Sequence, residues 1–224
     1  MSRWALLMTL VCGAGCSSLE EGAGGVVGLE IRIPELLTLD VGEALPLTAV
    51  ALDQDGNSIQ AEITWRAPDP TLTVDPATGV ITGVSPGPGR VQAFAGNLAS
   101  ELVQFTVIAR ADTLIVTDSL FTVAPGGAAS PPLVAQVQTF SPPGPLADRP
   151  VEYSIVSPLD ATVTLPGGLL IDTLNTGTDG AVSGVTLTRV NIAQPVTAIV
   201  QVRAFRTRGA AVPGSGQRFT VTFQ

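Results

Sequence analysis

Apolar and polar side chains alternate in short runs along most of this chain. Ile63, Trp65 and Ala67 fall on one side of such a run, with Glu62, Thr64 and Arg66 on the other. Val103, Phe105 and Val107 oppose Gln104 and Thr106, while Leu133, Ala135 and Val137 oppose Gln136 and Gln138. Val151, Tyr153 and Ile155 make a further apolar side, and Phe219, Val221 and Phe223 the last. A period of two means a β-strand with one buried face. Residues that fix or relax φ separate the runs, and these segments are expected to be turns and loops. They are Asp53-Gln-Asp-Gly-Asn57, Asp75-Pro-Ala-Thr-Gly79, Pro86-Gly-Pro-Gly89, the proline-rich stretch 141–150 and the NTGTDG stretch 175–180. Short strands at this spacing predict an all-β chain built of sandwiches.

The N-terminus follows a different pattern. A short basic start (Met1 to Trp4) leads into the apolar run Ala5 to Val11, and Gly13-Ala-Gly-Cys16 closes it with small residues. That order is a secretory signal peptide, and its apolar run is too short for a spanning helix, which needs about 20 residues. The small residues before Cys16 resemble the lipobox of bacterial lipoproteins, although Gly13 stands where such boxes carry Leu or Val. The resemblance implies diacylation at Cys16, a signal peptide over 1–15, and attachment to a membrane through the N-terminal lipid. An ordinary cleavage near Ala14, or a pairing of Cys12 with Cys16, are the alternatives. Residues 16–25 are small, polar and glycine-rich, as expected of a flexible lipid-anchored tether.

Composition narrows the class further. Hydrophobic residues make up 45% of the 224 and charged residues only 13%, which excludes a disordered chain. The 24 glycines and 18 prolines that interrupt the apolar runs suit an all-β fold. A net charge of −8 lacks the basic face that nucleic-acid binding requires. The charge is uneven: residues 26–109 hold ten acids against Arg32, Arg66 and Arg90, a net −7, while 110–224 are neutral.

Motifs make the sandwich reading more specific. Val41-Gly42-Glu43, Asp55-Gly56, Thr64-Trp65, Val74-Asp75, Gly79 and Ile81-Thr82-Gly83 occur in an order that resembles the bacterial Ig-like group 2 domain. The resemblance covers residues 26–109 and implies that Trp65 is a core residue of a central strand. Beyond a short link at Ala109–Asp112, Arg149-Pro150-Val151 and Thr178-Asp179-Gly180 are similar to the Ig-like group 1 domains of invasin-type surface proteins. The expected fold is therefore two tandem immunoglobulin-like β-sandwiches, the second over 110–224.

Candidate chemistry is sparse. The chain has no histidine, and its only cysteines are Cys12 and Cys16, so His-dependent triads and thiol nucleophiles are excluded. Asp53, Asp55 and Asn57 follow a D-x-D-x-N spacing, but a calcium loop needs glycine at its sixth position and Glu at its twelfth, where Ser58 and Thr64 stand. Arg203, Arg206 and Arg208 cluster beside Phe205, as either an anion-binding patch or solvated strand-end charges. No catalytic, cofactor or metal residues are expected. The reading is a non-enzymatic, lipid-anchored cell-envelope protein, at an outer membrane or cell surface, presenting Ig-like domains for adhesion or scaffolding toward a surface protein or glycan. A carbohydrate-binding or assembly subunit of a cell-surface complex is the alternative. Cys16→Ala should move the protein from the membrane to the soluble fraction and abolish uptake of labelled fatty acid; retention on the membrane would exclude the lipid anchor.

Overall fold

The computed structural model describes residues 25–224, so Cys12, Cys16 and the expected signal peptide lie outside the described residues. All regular structure among those residues is β, apart from one 3-10 turn at Pro166–Gly168. Buried side chains fall into two clusters, one drawn from Val26 to Val107 and the other from Ala111 to Phe223.

The first cluster lies between two layers. The strands in order are β1 (Gly28–Arg32), β2 (Thr38–Asp40), β3 (Ala44–Pro46), β4 (Thr48–Leu52), β5 (Ser58–Ile59), β6 (Thr64–Arg66), β7 (Leu72–Val74), β8 (Val80–Gly83), β9 (Gly87–Ala95), β10 (Leu98–Ala99) and β11 (Val103–Ile108). One layer holds β1-β4-β5 and β3-β8-β7, joined because β3 runs into β4 through Leu47. The other is β10-β9-β11-β2, with β6 also on β9. The first stretch of chain divides between the layers: β1 pairs antiparallel with β4, then β2 crosses to pair parallel with β11, Leu39 opposite Val107. That crossing gives the sandwich its immunoglobulin-like character.

Trp65 takes the core place that its alternation predicts, 5% exposed, although β6 pairs only with β9 among the described residues and is an edge strand rather than a central one. Its ring lies against Gly79, where a Cβ would sit 2.6 Å from Trp65 Cε2 and φ is +72°. The glycine is thus required twice, by the left-handed backbone and by the indole. Pro86-Gly-Pro-Gly89 departs from expectation. The bend is confined to Ser85 and Pro86, and Gly87 to Gly89 begin β9, with Pro88 in register with Thr106. Gly89 serves close packing rather than turning, because a Cβ there would lie 2.8 Å from Leu72 Cβ.

The second sandwich repeats the device. Its strands are β12 (Thr113–Val116), β13 (Leu120–Val123), β14 (Ala135–Phe140), β15 (Pro143–Pro145), β16 (Pro150–Ser157), β17 (Val163–Thr164), β18 (Ile171–Asn175), β19 (Ala181–Val182), β20 (Thr188–Arg189), β21 (Val196–Ala204) and β22 (Gln217–Phe223). β12 pairs antiparallel with β14, while β13 pairs parallel with β22 at the edge of the sheet β13-β22-β21-β16-β18. The proline-rich stretch is not all loop, since Pro143–Pro145 fold back on Gln138–Phe140 as an edge strand, a position that tolerates proline. Tyr153 stacks on Phe219 at 6.3 Å and its hydroxyl donates to the Leu133 carbonyl at 3.2 Å. At the far pole the buried Arg189 donates to the carbonyls of Gly127, Gln194 and Gln224 and lies over the Phe223 ring.

Truncating a buried indole in a packed core should cost about 3–5 kcal/mol. Trp65→Ala should lower the unfolding free energy by that amount in chemical denaturation; a loss under about 1 kcal/mol would place the ring at the surface.

Candidate functional site

Charged side chains converge where the two sandwiches meet. β2 ends at Asp40, which is 3% exposed, and the chain turns there through Val41-Gly42-Glu43. The Asp40 N–H donates to Glu43 Oε2 at 2.8 Å and the Glu43 N–H donates to the Asp40 carbonyl, so the turn presents both carboxylates in one arrangement. Gly42 allows the bend with φ +78°.

The second sandwich meets this turn with the loop that follows β21. Arg206 and Gly209 close a tight turn through the bonds Arg206 N–H to Ala210 carbonyl and Gly209 N–H to Arg206 carbonyl. Its tip reaches the first sandwich: the Thr207 N–H donates to Asp40 Oδ2 at 3.0 Å, and Arg208 Nε lies 2.6 Å from Glu43 Oε1. Arg208 Nη2 also donates to the carbonyls of Leu36 and Thr38. Arg208 therefore holds both the carboxylate and the backbone leading into β2.

The link is fastened as well. Arg110 Nε donates to Asp112 Oδ1 at 2.7 Å, Arg206 Nε to the Ala111 carbonyl, and Arg149 Nη2 to the Ala109 carbonyl. Asp112 Oδ2 accepts from the Phe140 N–H at 2.8 Å. Burial opposes the charge of Asp112, yet the Phe140 N–H and the Arg110 guanidinium outweigh it and hold the carboxyl below the usual carboxylate range. A cavity of about 170 Å³ remains in the joint, bordered by Asp40, Arg149, Phe205 and Arg206 among others. Apart from Arg149 Nε, which is buried without a partner, the charged groups of the joint are paired with one another or with backbone groups, which suits fixed orientation.

The other candidates lie apart. Arg203 is exposed near the end of β21 in register with Glu152, a solvated strand-end charge, whereas Arg206 and Arg208 belong to the joint. Asp53 Oδ1 accepts from the N–H groups of Asp55 and Asn57, which hold its carboxyl low and close the β4–β5 hairpin. No group of three or more metal-capable side chains occurs among the described residues. Trp65 is buried, so it offers no stacking platform. Sequence reading missed Asp40, Glu43, Arg110, Asp112 and Arg149. The Glu of the Val41-Gly42-Glu43 motif, and the Arg-x-Asp spacing in the link, were the available signals.

No family model matches the chain, and neither does any curated protein. Solved structures do resemble it. The S-layer protein SbsC, domains 4 and 5, is 18% identical over 88% of this chain and 97% of that one, with a TM-score of 0.35. The Yersinia pseudotuberculosis adhesin InvE is 16% identical over 91% of this chain, which spans 61% of InvE, with a TM-score of 0.40. The D00-D0 domain of intimin is 17% identical over 87% of this chain and 98% of that one, with a TM-score of 0.31.

A carboxyl held low in the folded state stabilises it above the unfolded value near ~3.9, and that contribution is lost as pH falls through the folded value. Thermal unfolding of the full chain should therefore show an acid-dependent loss below about pH 4, part of which Asp112→Asn removes. An unchanged acid profile in the variant would deny Asp112 its charge-dependent part.

Proposed function

We propose that this chain is a non-enzymatic, lipid-anchored protein of the cell envelope that holds two Ig-like sandwiches in a fixed tandem arrangement. The units are 26–109, of the bacterial Ig-like group 2 kind, and 110–224, related to the invasin-type group 1 kind. Lipid at Cys16 fixes one end to a membrane, and the sandwiches carry loops and sheet edges outward, toward a surface protein or glycan, in adhesion or scaffolding.

The observation that supports this best is the joint. A tandem display needs only a linker, whereas this chain directs Arg208 and Thr207 of the second unit onto Glu43 and Asp40 of the first. A partly exposed ion pair contributes about 0–1 kcal/mol to stability. The value of this one lies in orientation, since it acts together with the Asp40–Thr207 bond and the arginine contacts to the link carbonyls.

The test is domain alignment in solution. In the full chain, residual dipolar couplings should give both sandwiches one common alignment. In Arg208→Ala combined with Glu43→Ala the two should separate while thermal stability changes little. Independent alignment in the unsubstituted chain would remove the rigid-spacer reading.

A further inference from the structure

The first sandwich has an open flank that the joint does not use. Where the chain crosses from β1 to β2, residues 33–37 leave the two layers apart, and a cleft of about 760 Å³ lies between β1 and the start of β11. That is within the range of ligand-binding clefts, roughly 300–1,000 Å³. Ile33, Leu37 and Leu102 line it and are 67%, 38% and 48% exposed, an unusual concentration of large apolar side chains at a surface.

Both walls are strand edges. β1 is the outer strand of its layer, with β4 on its only paired side among the described residues. β11 meets β2 only from Thr106 to Ile108, leaving Val103–Phe105 without a strand on that flank among the described residues. The Thr106 N–H donates to the Leu37 carbonyl. Strand alternation therefore turns the Gln104 N–H and carbonyl toward the same flank, two residues earlier. An unpaired edge beside apolar side chains is the surface to which an extended peptide adds as a further strand.

Charge selects among possible occupants. Glu30 and Glu101 line the cleft and, among the described residues, no basic residue does. The preceding segment of this chain carries Glu20 and Glu21, and would meet like charge. In a second copy Arg206 and Arg208 are engaged in its joint, and the exposed Arg203 and Arg218 stand on strands already paired within their own sheet, so none of these four offers a free extended segment. The geometry points to a partner protein that supplies an extended segment with alternating apolar side chains and at least one basic residue, paired in β-register with Val103–Phe105. This surface is independent of the lipid anchor and of the joint.

The test uses the full chain carrying Cys16→Ala and three synthetic peptides. The first is Arg-Val-Thr-Val-Thr-Val-Arg, the second has Glu in place of both Arg, and the third has Pro in place of the central Val. The first should bind at least tenfold more tightly than the other two and shift the backbone amide of Gln104. Ile33→Ser and Leu102→Ser should each weaken it several-fold, and Glu30→Gln with Glu101→Gln should erase the preference over the Glu peptide. Equal binding of the Pro peptide would overturn strand addition, and equal binding of the Glu peptide would overturn the charge argument. Occupation of the same residues by phosphatidylglycerol vesicles and by none of the peptides would make the cleft a lipid site and reject the proposal.

Discussion

The arrangement of this molecule depends on a carboxylate that is almost wholly withdrawn from water. Asp40 is 3% exposed at the end of β2, and a charge in that position is tolerated only when dipoles or opposite charges replace its hydration. The Thr207 N–H comes from a residue 167 positions away, in the other sandwich. The local turn contributes Glu43, which brings in Arg208 and its contacts to the backbone before β2. The second sandwich thus both lies against this acid and supplies a donor to it, in one orientation.

The same principle explains what could be read from the sequence. Alternation at 63–67, 103–107, 133–137, 151–155 and 219–223 placed core residues correctly, because a half-buried strand can arrange its side chains in only one way. Trp65 was legible for that reason, and Gly79 through its motif. Proline and glycine misled where tertiary packing reversed their usual meaning. Pro143–Pro145 form an edge strand, and Gly87 to Gly89 begin a central one because Leu72 and Thr71 approach too closely for a Cβ at Gly89. The joint was not legible, since Glu43 and Arg208 are surface charges by every local measure. The Val41-Gly42-Glu43 motif marks the glutamate but not its partner, because their pairing depends on a fold in which the β21–β22 loop overhangs the link.

The scarcity of charge gives the joint its selectivity. Charged residues make up 13% of the chain, and among the described residues Arg90–Asp69 is the one ion pair outside the joint and link. Most of the neutral second half's arginines have defined uses: Arg149, Arg206 and Arg208 in the joint, Arg110 in the link, and Arg189 at the opposite pole, bound to three carbonyls. Arginine suits such places because its planar fork reaches several acceptors while its charge is permanent.

The parallel pairing of β2 with β11, and of β13 with β22, has a mechanical consequence. In each sandwich the early strand and the final strand run in the same direction side by side. Tension applied between the chain's entrance to a sandwich and its exit pulls these neighbours in opposite senses along their common axis. The hydrogen bonds between them then bear load simultaneously, instead of opening one after another as they would in a hairpin pulled at its free ends. Forced unfolding is governed by the unfolding barrier rather than by equilibrium stability. Each sandwich therefore has a shear clamp behind the antiparallel pairing, β1 with β4 or β12 with β14, that a stretching force meets first, and its tensile resistance comes from strand direction as much as from the depth of its core.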